Sequence, residues 1–183
     1  GSLFAQDEMQ VAEHPSLVAL REALRSRKWP AKTAENGRPT PVLVRSVERR
    51  CRVATDRNAA EGRARGLYGH AFSAAPMDAV RRATTPIEPP TITNLIAIAA
   101  PAGGYGRYTP RQIELILTTA FTGFRAAVME SAGALVAVHT GFWGCGAFGG
   151  NRVLMTTLQL LAAEMAGVER LVFHTCDPAG RAA

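Results

Sequence analysis

Val138-His-Thr-Gly-Phe-Trp-Gly-Cys-Gly-Ala-Phe-Gly-Gly-Asn-Arg152 decides the reading of this 183-residue chain. Five glycines (Gly141, Gly144, Gly146, Gly149 and Gly150) fall within ten residues. Ahead of them Ala134-Leu-Val-Ala-Val138 has the apolar, β-branched look of a buried strand. Behind them Val153, Leu154, Leu158, Leu160, Leu161 and Met165 recur at helical spacing. The order is strand, glycine loop, helix. Such a loop lets backbone N–H groups approach an anion closely, and the helix N-terminus adds partial positive charge. A phosphate-bearing ligand is the first expectation.

Working outward, Thr91 to Ala99 reads as a strand apolar enough to be covered on both faces. Pro110 sits at a favourable first-turn position, and Arg111 to Ser131 follows as an amphipathic helix with Ile113, Ile116, Leu117, Ala120, Phe121 and Phe124 on its apolar side. Arg170 to Thr175 is a last short strand. Alternating strands and helices imply an α/β layer fold with a largely parallel sheet. Ligands of such sheets sit beyond the carboxyl ends of the strands, where the glycine loop lies. The first half is less clear. Gln6 to Arg27 reads as a helix interrupted at Pro15, with Ser16 as cap and Leu17, Leu20 and Leu24 on one face. Trp29 to Pro41 is turn-rich, Pro41 to Arg45 a short strand, and Val47 to Arg82 a helix or a loop. Pro86 to Pro90 reads as an extended connector. Residues 31–90 are thus a loop-rich section of a single domain over 1–183.

Composition narrows the class. A chain of this length and 47% hydrophobic content buries a sizeable core. No apolar run reaches the roughly 20 residues that span a bilayer, and no signal peptide opens the chain, so no membrane partner is expected. Three cysteines, Cys51, Cys145 and Cys176, show no C-x-x-C pairing. This argues against a disulfide framework or a structural metal and for a reducing cytoplasm. The net charge of +6 is concentrated in Arg45, Arg49, Arg50, Arg52, Arg57, Arg63 and Arg65. That stretch is either a solvated face or a surface for a polyanion. Nucleic acid is not the expected partner, because the aromatics that stack on bases are missing and Tyr68 is the nearest.

His139-Thr-Gly-Phe-Trp-Gly-Cys-Gly-Ala-Phe-Gly-Gly-Asn151, the helix with Leu158-Gln-Leu-Leu-Ala-Ala163, and Phe173-His-Thr-Cys-Asp177 together resemble the poly(ADP-ribose) glycohydrolases, a branch of the macrodomain fold. The Leu95 to Ala99 strand and the helix with Tyr108, Gln112 and Phe124 fit the family's order of elements. Ala5-Gln-Asp-Glu-Met9, followed by His14-Pro-Ser-Leu17, is similar to its Gln-Glu-Glu signature and the short element behind it. The resemblance implies a three-layer α/β/α sandwich with a mixed, mainly parallel sheet. It implies hydrolysis of an O-glycosidic bond to ADP-ribose, on a polymer or a modified protein, without a cofactor. Glu8 would be the catalytic carboxylate, and Asp7, in place of the family's other glutamate, would help hold the ribose end beside Gln6. Thr140, Gly141 and the backbone of Gly144, Cys145, Gly146, Ala147, Phe148, Gly149, Gly150 and Asn151 would line the ligand, with Phe148 over the nucleotide and Thr175 near its base.

The chemistry is coherent. Glycoside cleavage needs an acid for the departing oxygen and a base for water, and one buried glutamate can serve both in turn. The same Asp7-Glu8 pair also suits the exposed first turn of a helix. Departures from the family pattern open alternatives. The chain begins at Gly1-Ser2, where the family has an Asn and several glycines; the pair is either a remnant of that loop or a cloning scar. Phe142 replaces an Asn, Thr175 an aromatic that stacks on adenine, Cys176 a glycine and Ala99 an acid. A non-catalytic ADP-ribose-binding module and an enzyme acting on another NAD-derived molecule therefore stand beside the glycohydrolase. Cys145 is either an activated thiolate or a small residue in a tight loop. His139 and His174 either take part in acid–base work or satisfy backbone groups. No triad spacing is present, no Gly-Lys-Ser/Thr completes a P-loop, and the G-x-G-x-x-G over Gly144 to Gly149 lacks its downstream acid.

Overall fold

The computed structural model describes residues 3, 12–67, 70–101, 107–146, 148–175 and 180. In chain order the elements are α1 (Ser16–Ser26), β1 (Ala34–Glu35), β2 (Arg38–Pro39), β3 (Val42–Val53), a 3-10 turn (Ala59–Glu61), α2 (His70–Ser73), α3 (Met77–Ala83), β4 (Thr84–Ala97), α4 (Pro110–Met129), β5 (Ala137–Gly141), α5 (Arg152–Ala166) and β6 (Arg170–His174). The described strands form three two-stranded sheets, β1–β2, β3–β4 and β5–β6. Of these β1–β2 is antiparallel and β5–β6 parallel. The fold is mixed α/β, but these small sheets do not build the expected mainly parallel one. The chain packs as two compact units.

One unit comprises Leu3–Ala31 and Val44–Leu95. Its strands correct the loop-rich reading of 31–90. β3 runs on to Val53, and β4 begins at Thr84, taking in the Pro86 to Pro90 stretch expected to be a connector. The Ala54 N–H donates to Ala83 O and the Ser46 N–H to Asn94 Oδ1, each at 2.9 Å, so the strands run in opposite directions. β3 escaped the period-two reading because Val42, Leu43 and Val44 are all apolar and half-buried, so the strand opens without alternation, and only Val47 and Val53 are buried beyond them. Ser46, with a left-handed φ of 55°, interrupts the regular pleat between the two parts. β4 pairs with β3 alone among the described residues, and a strand with an unpaired edge tolerates proline. Nor is β4 covered on both faces, since Ile92 is 62% exposed. In α1 the cap position belongs to Pro15, without a side-chain cap bond; Ser16 is already helical.

The buried charge of this unit is Glu13, 3% exposed. Arg49 Nε and Nη2 each lie 2.8 Å from its Oε2, and the Val53 N–H donates to its Oε1 at 2.8 Å. Arg63, also buried, is paired with Asp56 and Glu61. A small core of Val53, Leu67 and Ala83 packs with Phe72 and Val80.

The other unit contains Lys32–Leu43 and Ile96–Ala183. α4 matches its expected span to within two residues. Thr109 and Gln112 exchange a reciprocal capping box, and Pro110 opens the first turn. α4 and α5 pack on each other through Ala120, Phe124, Ala162, Ala163 and Ala166, and Val138 of β5 joins them. Alanines on α5 let the helices approach closely and leave little side-chain entropy to lose. β5 lies three residues later than its apolar run suggested. The Glu169 and Arg170 N–H groups both donate to Val136 O, so pairing with β6 starts there and Leu135 stays 82% exposed. Thr140 and Gly141 therefore end a strand rather than begin a loop.

Candidate functional site

β5 and β6 pair in parallel with Ala137 opposite Arg170 and Gly141 opposite His174, so both strands end together where the glycine stretch departs. A single buried amide ties that exit to α5. Gln159, 1% exposed, accepts the Thr140 hydroxyl at Oε1 (2.5 Å) and donates from Nε2 to Gly141 O (3.0 Å) and Met155 O (3.2 Å). The sequence held a signal for it: Gln159 is the one polar residue among the buried positions of α5, which include Met155, Leu158, Ala162 and Ala163. Tyr108 is a second anchor, its hydroxyl accepting the Asn151 N–H at 2.8 Å.

Beyond Gly141 the loop closes on itself. The Trp143 N–H donates to Gly141 O, Cys145 to Phe142 O, Gly149 to Gly146 O and Gly150 to Gly144 O, all at 2.8–3.0 Å. Two glycines answer to the chain's own packing. Gly144 has φ +75°, and a Cβ there would stand 3.0 Å from Pro101 Cδ; a Cβ on Gly150 would stand 2.7 Å from Gly144 O. Gly146 is different. Its φ lies outside the left-handed region, and nothing lies within 4 Å of where a Cβ would be. Among the described residues the N–H groups of Gly144, Gly146 and Phe148 have no partner in the loop's turns. Phe148 is 44% exposed.

Asn151 caps α5: its Oδ1 accepts the Leu154 N–H at 2.9 Å, so the helix begins where the glycines end. Arg152 follows, its guanidinium 4.6 Å above the Phe142 ring, which meets Phe173 edge-on at 5.0 Å. Cys145 is a packed thiol. Its Sγ donates to Trp143 O at 3.7 Å, and burial pushes its pKa up more than the nearby Arg152 lowers it, which disfavours a thiolate. His139 Nδ1 and His174 Nε2 meet at 3.0 Å at the strand ends. Thr175 follows β6, half-buried. Gln6, Asp7, Glu8 and Ala147 lie outside the described residues, as do Tyr68 and Cys176.

A half-open pocket of about 170 Å³ is lined by Arg38, Pro39, Pro101, Ile116, Thr119 and Trp143, and its lining is largely apolar. Among the described residues no three His, Cys, Asp or Glu side chains gather to hold a metal ion, and no helix is long and apolar enough to cross a membrane.

The family model described as poly(ADP-ribose) glycohydrolase, macro domain fold, matches residues 63–181. That span holds the helix pair, the strand pair and every described residue of the glycine loop. Strand, loop and capped helix all fall within that match, which covers more than half of the chain, and the chain belongs to the poly(ADP-ribose) glycohydrolase family.

Proposed function

We propose that the chain hydrolyses the O-glycosidic bond to ADP-ribose in poly(ADP-ribose) or an ADP-ribosylated protein. The observation that carries this reading is Gly146. Among the described residues nothing demands a glycine there, the position is open and its N–H has no partner in the loop's turns. An absent side chain that the fold does not require suits a backbone approached from outside, and with the neighbouring amides and the start of α5 it suits a diphosphate. Thr140, Gly141 and Gly144 through Asn151 then form the ligand's cradle, within the macrodomain sandwich that the family implies.

Glu8 is the general acid that protonates the departing oxygen and then the base that activates water; Asp7 and Gln6 hold the ribose end. The oxocarbenium-like transition state carries positive charge, so the adjacent diphosphate stabilises it electrostatically. No cofactor is needed for either step. Release of ADP-ribose from poly(ADP-ribose) tests the proposal. Glu8→Gln should slow it by about 10²–10⁴-fold while calorimetric binding of ADP-ribose persists. Hydrolysis at the parent rate in that variant overturns the role of Glu8. Binding without turnover in the parent itself makes the chain a binding module, and absence of both removes ADP-ribose as the ligand.

A further inference from the structure

We infer that His139 and His174 together form a site for one divalent transition-metal ion of the Cu2+, Ni2+ and Zn2+ class. The residues stand on neighbouring parallel strands, His174 opposite Gly141 and His139 two residues earlier. Residues alternate across a strand, so His139 faces away from the side on which Val138 packs and Thr140 meets Gln159. Both histidines are exposed, which gives an ion a path from solvent.

The geometry of the pair is that of a shared site. Nδ1 of His139 and Nε2 of His174 are 3.0 Å apart, with ring centroids at 5.3 Å and planes inclined by 25°. Nitrogens so much closer than the centroids describe rings that meet edge to edge, not face to face. At that distance one nitrogen donates to the lone pair of the other, the roles being set by the tautomers. A metal ion held by both nitrogens replaces that hydrogen bond. With metal–nitrogen bonds of about 2.0–2.1 Å, nitrogens 3.0 Å apart subtend roughly a right angle at the ion. That angle belongs to two adjacent positions of tetragonal coordination, which Cu2+ and Ni2+ favour; tetrahedral Zn2+ needs the nitrogens slightly further apart. Turning each exposed ring by roughly 45° directs both lone pairs onto an ion beside the N–N line, and water fills the remaining positions. Imidazole pairs select these ions over Mg2+ and Ca2+, which prefer oxygen.

The test is calorimetric titration of the tag-free, chelator-treated chain with CuCl2, NiCl2, ZnCl2 and MgCl2. One ion per chain is expected for the first three and none for Mg2+, with Cu2+ tightest. His139→Gln and His174→Gln should each weaken binding by roughly tenfold or more. Their circular dichroism and melting temperature should stay at parental values. Electron paramagnetic resonance of the Cu2+ form should show coupling to two imidazole nitrogens in the parent and one in either variant. Metal binding that survives both substitutions, or no binding at millimolar metal, overturns the site and leaves a hydrogen-bonded pair. No nucleotide enters these readouts, so they stand or fall apart from ADP-ribose hydrolysis.

Discussion

In the loop from Gly141 to Asn151 the groups able to meet an anion are backbone N–H groups; in β3 and the turn after it they are arginine side chains. By charge alone the second region is the stronger candidate. Yet three of its seven arginines already have carboxylate partners, Arg49 in Glu13, Arg63 in Asp56 and Glu61, and Arg50 in Glu48. The loop carries little formal charge, but among the described residues it leaves amides without partners in its turns beside a helix N-terminus. Formal charge counts side chains, whereas anion binding counts donors that the fold has not already used.

The contrast can be broken from the β3 side first. Arg49→Leu leaves the Glu13 carboxylate buried without its cation, so urea denaturation should show a loss of about 3–5 kcal/mol, the largest effect foreseen. Affinity for poly(ADP-ribose) and its salt dependence should not change for any fraction that stays folded. A loss of affinity would return the basic strand to the role of polyanion surface. On the loop side, Gln159→Leu strands the Thr140 hydroxyl and the Gly141 carbonyl, at about 1–3 kcal/mol by the same measurement. Asn151→Ala removes the α5 cap and should lower stability by about 1 kcal/mol in thermal or chemical unfolding. The smallest effect on stability, within about 0.5 kcal/mol, is expected for Gly146→Ala, where a Cβ meets nothing. That same variant should bind ADP-ribose at least roughly tenfold more weakly by calorimetry, about 1.4 kcal/mol. Unchanged binding would remove the observation on which the proposed function rests.

How legible each part was depended on the range of the interactions that form it. α4 was readable to within two residues, because Pro110 is a local start signal beside a local apolar period, and α5 was readable as a helix behind the glycines from its apolar spacing. β3 was not, because Val42, Leu43 and Val44 show no alternation and the left-handed Ser46 behind them is held by Asn94, 48 residues away. β5 was displaced by three residues because its limits follow from where β6 begins to pair. Within the candidate site the glycine stretch could be read directly. The division of labour inside it, with Gly144 and Gly150 serving the fold and Gly146 open, could not.

Sequence alone determined the strand–loop–helix order, the two amphipathic helices and the family, since each rests on residue types at short, regular spacing. Tertiary structure decided which charges are free, which glycines the packing requires, and that His139 and His174 touch across 35 residues. Those facts depend on which distant groups share a neighbourhood. Hydrogen bonds and burial act at a few ångströms whatever the separation along the chain.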